Sequence, residues 1–373
     1  MFKLQNRQHT TQHQKTQNPT IGNRQPKTDN RKQTTDNRKQ TKKNMKTLLT
    51  RLTQFQKISK KEAKEVLISI SKGQFSRVEI AAFLTVYMMR NISIEELDGF
   101  REALLELCIP IDLSAYNPID LCGTGGDGKN TFNISTAASF VTASCGIPVA
   151  KHGNYGVSSV SGSSNVLESL GVKFSNNEAF LKKCMDEANI CILHAPLFHP
   201  AMKEVAPIRK GLGLKTFFNM LGPMVNPSFP KHQLVGVFNL ELLRTYAYLY
   251  EQTDKKYSII HELDGYDEIS LTSSAKVHTH TSELMISAET FKTKALQKEE
   301  LFGGDTIKEA SEIFTKVLQG KGTLAQHQVV AANAALAIHT VTDKPLQSCF
   351  EIALDNLKEG KAYQVLQKLK SVA

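Results

Sequence analysis

No apolar run in this 373-residue chain approaches the ~20 residues needed to cross a bilayer, which argues against any helical membrane span. Tryptophan is missing altogether, and nothing about fold or chemistry follows from that. The cysteines (Cys108, Cys122, Cys145, Cys184, Cys191 and Cys349) form no C-x-x-C pair and sit mostly inside apolar runs. Their spacing speaks against a metal or disulfide framework and for reduced core thiols in a cytoplasmic protein. Net charge is scarce too, once it is located. The formal +10 suggests a nucleic-acid partner, but eleven of the 46 Lys/Arg and two of the 36 Asp/Glu lie in residues 1–44, leaving the remainder at +1. So neutral a body carries no electrostatic footprint for nucleic acid.

What is present changes along the chain. Residues 1–44 are rich in Gln, Asn, Thr and Lys, and Thr-Asp-Asn-Arg-Lys-Gln-Thr at 28–34 repeats in tandem at 35–41. Such a basic extension cannot bury enough surface to offset its ordering entropy, so it is expected to be disordered and to play no part in the chemistry, with Met45 as the functional start. From Met45 the spacing of Leu48, Leu49, Leu52, Phe55 and Ile58 predicts helix. Three S-x-x-E capping boxes follow at Ser59/Glu62, Ser76/Glu79 and Ser93/Glu96, with Gly73 as a helix stop. Residues 45–112 therefore read as a small all-helical domain of about four helices, with nothing catalytic visible.

After Pro118 the pattern becomes alternating strand and helix. Ile119–Cys122, Ile147–Ala150, Val172–Phe174, Ile190–Leu193, Leu234–Phe238 and Ser258–Leu263 read as strands. Helices are expected from Ser163 or Ser164 to Leu170, from a Ser175/Glu178 box to Ala188, over 240–252, and in three stretches after Gly304. The expected fold class is α/β: a mostly parallel sheet flanked by helices over 113–373, joined to the small helical N-terminal domain. The Pro- and Gly-punctuated stretch between Pro196 and Pro227 breaks the alternation, which suggests a functional segment or, over about 198–225, a return to the small domain.

The chemistry concentrates at Gly123-Thr-Gly-Gly-Asp-Gly128, which follows the first strand and precedes a helix for which Ser135 and Thr136 are the expected N-caps. Strand, glycine turn and helix N-terminus together aim backbone N–H groups at an anion. A dinucleotide site would want an acid at the end of the second strand, where Lys151 and His152 stand instead. A P-loop would want Ser or Thr where Asn130 stands, and a bare turn needs no ligand at all. The neighbours favour a fourth reading. Lys151 at the next strand tip would bring a point cation, and Gly153, Asn154, Ser158, Ser159, Ser161, Ser163 and Ser164 a second loop of small donors. Far downstream, Asp267-Glu268 follows a strand and suits a magnesium ion shared with phosphate oxygens.

These residues together resemble the anthranilate phosphoribosyltransferase family, which shares its fold type with pyrimidine nucleoside phosphorylases. The marks are G-T-G-G-D-G at 123–128, N-I-S-T at 133–136, K-H-G-N at 151–154, H-P-A-M-K at 199–203, A-P-I-R at 206–209, F-N-M-L-G-P at 218–223 and D-E at 267–268. The resemblance implies two substrates, 5-phosphoribosyl 1-diphosphate and anthranilate, with Mg2+ as cofactor, no nucleic acid, and a homodimer. It assigns the phosphoribosyl donor to Gly123, Gly126, Asp127, Thr131, Asn133, Ile134, Ser135, Thr136, Lys151, His152, Gly153, Asn154, Ser158, Ser159 and Ser163. Anthranilate falls to Gly123, Asn154, His199, Arg209 and Pro223, and the metal to Ser135, Asp267 and Glu268. Arg209, Lys151 and His152 are the residues it implies in catalysis, His152 and His199 as orienting groups. Two positions depart from the family pattern: Tyr155 and Val160 stand where many members carry basic residues of the phosphate grip.

Overall fold

The computed structural model describes residues 45–156 and 161–372. The extension over 1–44 and the loop residues Ser158, Ser159 and Val160 lie outside the described residues.

The helical N-terminal part consists of α1 (45–53), α2 (Lys60–Ser71), α3 (Arg77–Met89) and α4 (Ile94–Leu107). All three capping boxes form, each Ser hydroxyl accepting the N–H three residues on and each Glu returning a carboxylate to the Ser N–H. Glu96 does more than cap. Fully buried, it also accepts from Ile58 N at 3.0 Å, Tyr87 Oη at 3.1 Å and Arg90 Nη2 at 2.5 Å, so one carboxylate ties α3, α4 and the entry to α2 together. A buried carboxylate is tolerated only with its lone pairs satisfied, as they are here.

The α/β part contains β1 (Ile119–Gly123), α5 (Ile134–Ser144), β2 (Val149–Gly153), α6 (Ser163–Ser169), α7 (Glu178–Ala188) and β3 (Ile190–His194). Short helices α8 (Ala195–Phe198), α9 (Ala206–Leu212) and α10 (Phe218–Leu221) occupy the punctuated segment. Then come β4 (His232–Gly236), α11 (Leu240–Tyr250), β5 (Lys256–Glu262), β6 (Ala275–Thr279) and β7 (Glu283–Ile286). The chain closes with α12 (Ile307–Leu318), α13 (Leu324–Thr342), α14 (Leu346–Lys358) and α15 (Lys361–Ser371). The seven strands lie in the order β3-β2-β1-β4-β5-β6-β7; β1 to β5 are parallel, and β6 and β7 run antiparallel at one edge. Successive strands step outward from β1 through β2 to β3, and in the other direction from β4. The topology thus switches between β1 and β4, and a crevice opens at their carboxyl ends.

Several expectations are corrected. Strand β2 runs on through Lys151, His152 and Gly153, because those residues keep register with Ile192, Leu193 and His194 of β3. Val172–Phe174 is no strand: Val172 N–H returns to Leu167 O, and Phe174 stacks on His194. Asn177, not Ser175, caps α7, accepting Phe180 N–H at 3.0 Å, while Ser175 is spent on Asn177 N–H. Helix α5 starts at Ile134 with Asn133 in the cap position, so neither Ser135 nor Thr136 is its N-cap. The β6–β7 hairpin went unread, and four helices, not three, follow Gly304.

Two apolar cores result. One packs α5, α7 and α12–α15 with β1–β3 and β6. The other joins the helical part to β4, β5 and α11, and it also takes Ala201, Val205, Ile208, Phe217, Phe218 and Leu221 from the punctuated segment. No helix among the described residues is long and apolar enough to cross a membrane.

Candidate active site

A cleft of about 300 Å³ opens at the carboxyl ends of β1, β2 and β4, between the glycine loop on one side and α9–α10 on the other. Its floor depends on two glycines paired across β1 and β4, Gly123 and Gly236. A Cβ at Gly236 would stand 1.4 Å from Asp267 O, and one at Gly123 would stand 2.4 Å from Asp267 Oδ2. Only bare backbone at both strand ends admits the Asp267–Glu268 turn. Once inside, Asp267 Oδ2 accepts Gly125 N–H at 2.8 Å, and Glu268 Oε1 accepts Ser135 N–H, in the first turn of α5, at 2.8 Å. Gly125 and Gly126 hold φ of +62° and +81°, which turns the loop back over these carboxylates.

Asp127, Asp267 and Glu268 thus face one another along the cleft, Asp267 buried and the other two half-buried. Burial pushes Asp267 up to about 7, with the charge of Asp127 adding to it, and pushes Glu268 up to about 8, with the charge of Asp267 adding to it. Burial raises Asp127 as well. None of the three forms a salt bridge among the described residues, so a cation brought to them relieves the repulsion. No group of three or more His, Cys, Asp and Glu among the described residues is arranged to hold a metal unaided. Magnesium does not require one, since it binds through one or two carboxylates and takes its remaining oxygens from substrate and water. The residues fit that ion.

Lys151 does not stand at an exposed tip. It is 2% exposed within β2, and its Nζ donates to Leu121 O at 2.6 Å. Burial lowers its pKa, and it lines the cleft from within the sheet. His152 beside it directs Nδ1 to Gly222 O at 3.1 Å, which makes Nδ1–H the donor and leaves Nε2 without a protein partner among the described residues. Its ring lies 5.2 Å from that of His199. Burial holds His152 down at about 3 and His199 at about 4, so both are neutral at physiological pH.

A folded-state pKa of about 4 against the ordinary 6.5 means that the unfolded chain takes up a proton first. The stability linked to His199 is therefore fully present above about 6.5 and is lost as pH falls towards 4. Replacing His199 with Gln is expected to flatten that acid limb, saving about 2 kcal/mol of the stability lost between pH 7 and pH 5. Urea midpoints at the two pH values check this, and parallel losses in both proteins would contradict it.

On the opposite wall, Arg209 projects from α9. Its Nη2 donates to Asn219 Oδ1 at 3.1 Å, and its guanidinium sits 5.5 Å from the ring centre of Phe218. Burial lowers its pKa, and no carboxylate among the described residues pairs with it. A half-buried guanidinium without an anion is a ready seat for a carboxylate.

Of the expected site residues, Gly123, Gly126, Asp127, Thr131, Asn133, Ser135, Thr136, Lys151, His152, Gly153, Asn154, Ser163, Arg209, Pro223, Asp267 and Glu268 all line this one cleft. Ile134 does not: it is fully buried in the core beneath the loop. His199 stands behind His152 and does not line the cleft. Gly236, Asn219 and Lys215 were missed. Asn219 lies inside the F-N-M-L-G-P motif and could have been read from it, but Gly236 and Lys215 carry no local signal.

Comparison with known proteins gives this geometry its relatives. Residues 46–108 match the helical bundle domain of a glycosyl transferase family, and residues 115–363 match its a/b domain. The anthranilate phosphoribosyltransferase of Flavobacterium johnsoniae is 64% identical over 88% of this chain and 100% of its own length. That of Bacteroides fragilis is 50% identical over 87% and 98%. The crystal structure of the Thermus thermophilus enzyme of that name superposes with a TM-score of 0.80 at 30% identity, covering 87% of this chain and 98% of its own. The Saccharomyces cerevisiae enzyme, solved in complex with PRPP and Mg, shares the fold with a TM-score of 0.80 at 24% identity. With two adjoining domain matches and full-length relatives at this identity, the chain belongs to the anthranilate phosphoribosyltransferase family.

Proposed function

We propose that this protein transfers phosphoribose from 5-phosphoribosyl 1-diphosphate to the amine of anthranilate, releasing pyrophosphate, as a step of tryptophan biosynthesis. The observation that carries the reading is the pairing of opposites across one cleft. A glycine loop backed by unpaired acids faces a guanidinium with no acid of its own.

The donor's phosphates lie against the loop N–H groups and the N-terminus of α5, over the buried Lys151. Asp267 and Glu268, with Ser135, hold the magnesium ion that accompanies the donor. When bound, magnesium supplies electrostatic stabilisation of the departing pyrophosphate. The loop donors act in the same sense, fixed beforehand in a partly dry cleft, so no reorganisation is needed as charge develops. Arg209, seated over the Phe218 ring, forks onto the anthranilate carboxylate. An aromatic amine is largely unprotonated at neutral pH, so the reaction calls for placement more than for a strong base. Neutral His152, its Nε2 bare, orients the amine without adding positive charge beside a developing oxocarbenium.

We further propose a cytoplasmic homodimer. The six free thiols fit a reducing compartment, and the dimer rests on the family likeness. The activity test is direct: mix protein, magnesium, 5-phosphoribosyl 1-diphosphate and anthranilate, and follow anthranilate fluorescence. The signal is expected to fall with release of pyrophosphate. A constant signal alongside turnover of a pyrimidine nucleoside would overturn the assignment.

A further inference from the structure

Lys215 lies between α9, which carries Arg209, and α10, which carries Asn219. The base of this segment is held by the helical core. Phe217 stacks on Phe100 with centroids 4.5 Å apart and an interplanar angle of 20°, and packs edge-on against Tyr87 at 5.2 Å. From that base Lys215 reaches the glycine loop, where its Nζ donates to Gly126 O. The stem lies so close that a Cβ at Gly126 would meet its Cε at 3.3 Å and its Cδ at 3.4 Å. The ammonium is 5.9 Å from the Phe238 ring, its charge reaches Asp127, and no carboxylate among the described residues pairs with it.

We propose that Lys215 is a positioning residue that couples the two substrate subsites, tying the segment that carries Arg209 to the loop that receives the donor's diphosphate. The proposal rests on the function assigned above. A lysine ammonium has three donors, and the Gly126 carbonyl uses one. A diphosphate on the loop fixes Gly126 and offers oxygens to the remaining donors, so it draws Lys215, and with it Arg209 six residues away, into one arrangement. Anthranilate then binds a guanidinium already placed. By reciprocity, bound anthranilate strengthens diphosphate binding by the same factor. Lys129 cannot serve this way, because it belongs to the glycine loop itself and rests over Tyr266 at 4.7 Å.

The test uses magnesium pyrophosphate as an unreactive stand-in for the donor. Anthranilate affinity of the full chain is measured by calorimetry with and without it, in the wild type, Lys215→Met and Lys215→Arg. The wild type is expected to bind anthranilate about tenfold more tightly when magnesium pyrophosphate is present, within the usual span of such couplings. Lys215→Met is expected to bring that ratio to about one at an unchanged melting temperature, and Lys215→Arg to restore most of it. A wild-type ratio near one, or an undiminished ratio in Lys215→Met, overturns the coupling role. A wild type that binds no anthranilate under either condition overturns the assigned function instead.

Discussion

Replacing Asp267 and Glu268 together with alanine is expected to lower kcat/KM by about 10³-fold, since metal stabilisation of a leaving group supplies several kcal/mol and each 1.36 kcal/mol is tenfold. The double variant also removes two fixed acceptors, those of Gly125 N–H and Ser135 N–H, so loop geometry could suffer along with the charge. Asp267→Asn separates the two effects. Its amide oxygen still accepts from Gly125, while the negative charge is gone. It is expected to keep the fold and still lose about two orders of magnitude in turnover. Stability offers a second readout. In the metal-free protein the buried acids repel one another, so the melting temperature of Asp267→Asn is expected to equal or exceed that of the wild type, a cost of function that substitution relieves. Near-normal turnover in the double variant would refute the metal assignment.

Replacing Arg209 with alanine is expected to raise the KM for anthranilate about 100-fold, because hydrogen bonds between charged partners contribute about 1.5–3 kcal/mol each and a fork makes two. The KM for the phosphoribosyl donor should change far less. Arg209 sits on α9, across the cleft from the glycine loop, where it meets Asn219 and Phe218. The folded protein should tolerate the loss, since no buried carboxylate is left unpaired when the guanidinium goes. Steady-state kinetics with each substrate varied in turn decides this. An equal rise in both KM values would mean that Arg209 supports the cleft as a whole and does not anchor the acceptor.

The local features of this chain were legible where residues a few positions apart decide the outcome. The three capping boxes formed as read because Ser and Glu meet within one helical turn. The strand–glycine–helix arrangement at Gly123 was equally plain, as was the mostly parallel sheet implied by alternating elements. Errors arose where a local signal competed with a partner elsewhere. Ser135 looked like a cap, but its own N–H in the first turn of α5 meets Glu268, 133 residues away. Lys151 looked like a cation at the strand tip until pairing with β3 drew it into the sheet. The β6–β7 hairpin was hidden because an antiparallel edge added to a parallel sheet leaves no helix between strands to announce it.

Sequence by itself determined the fold class, the helical N-terminal part and the strand–glycine–helix turn at Gly123, since periodicity, capping and glycine placement act over short range. Only the tertiary structure decided how that turn becomes a site. Gly123 and Gly236 must align across β1 and β4 to admit Asp267, which then holds Gly125 from 142 residues away. Lys215 must cross from the segment anchored in the helical core to meet Gly126. Those contacts depend on strand order and on the packing of one core against the other. No stretch of the chain short enough to read by its own pattern contains both partners.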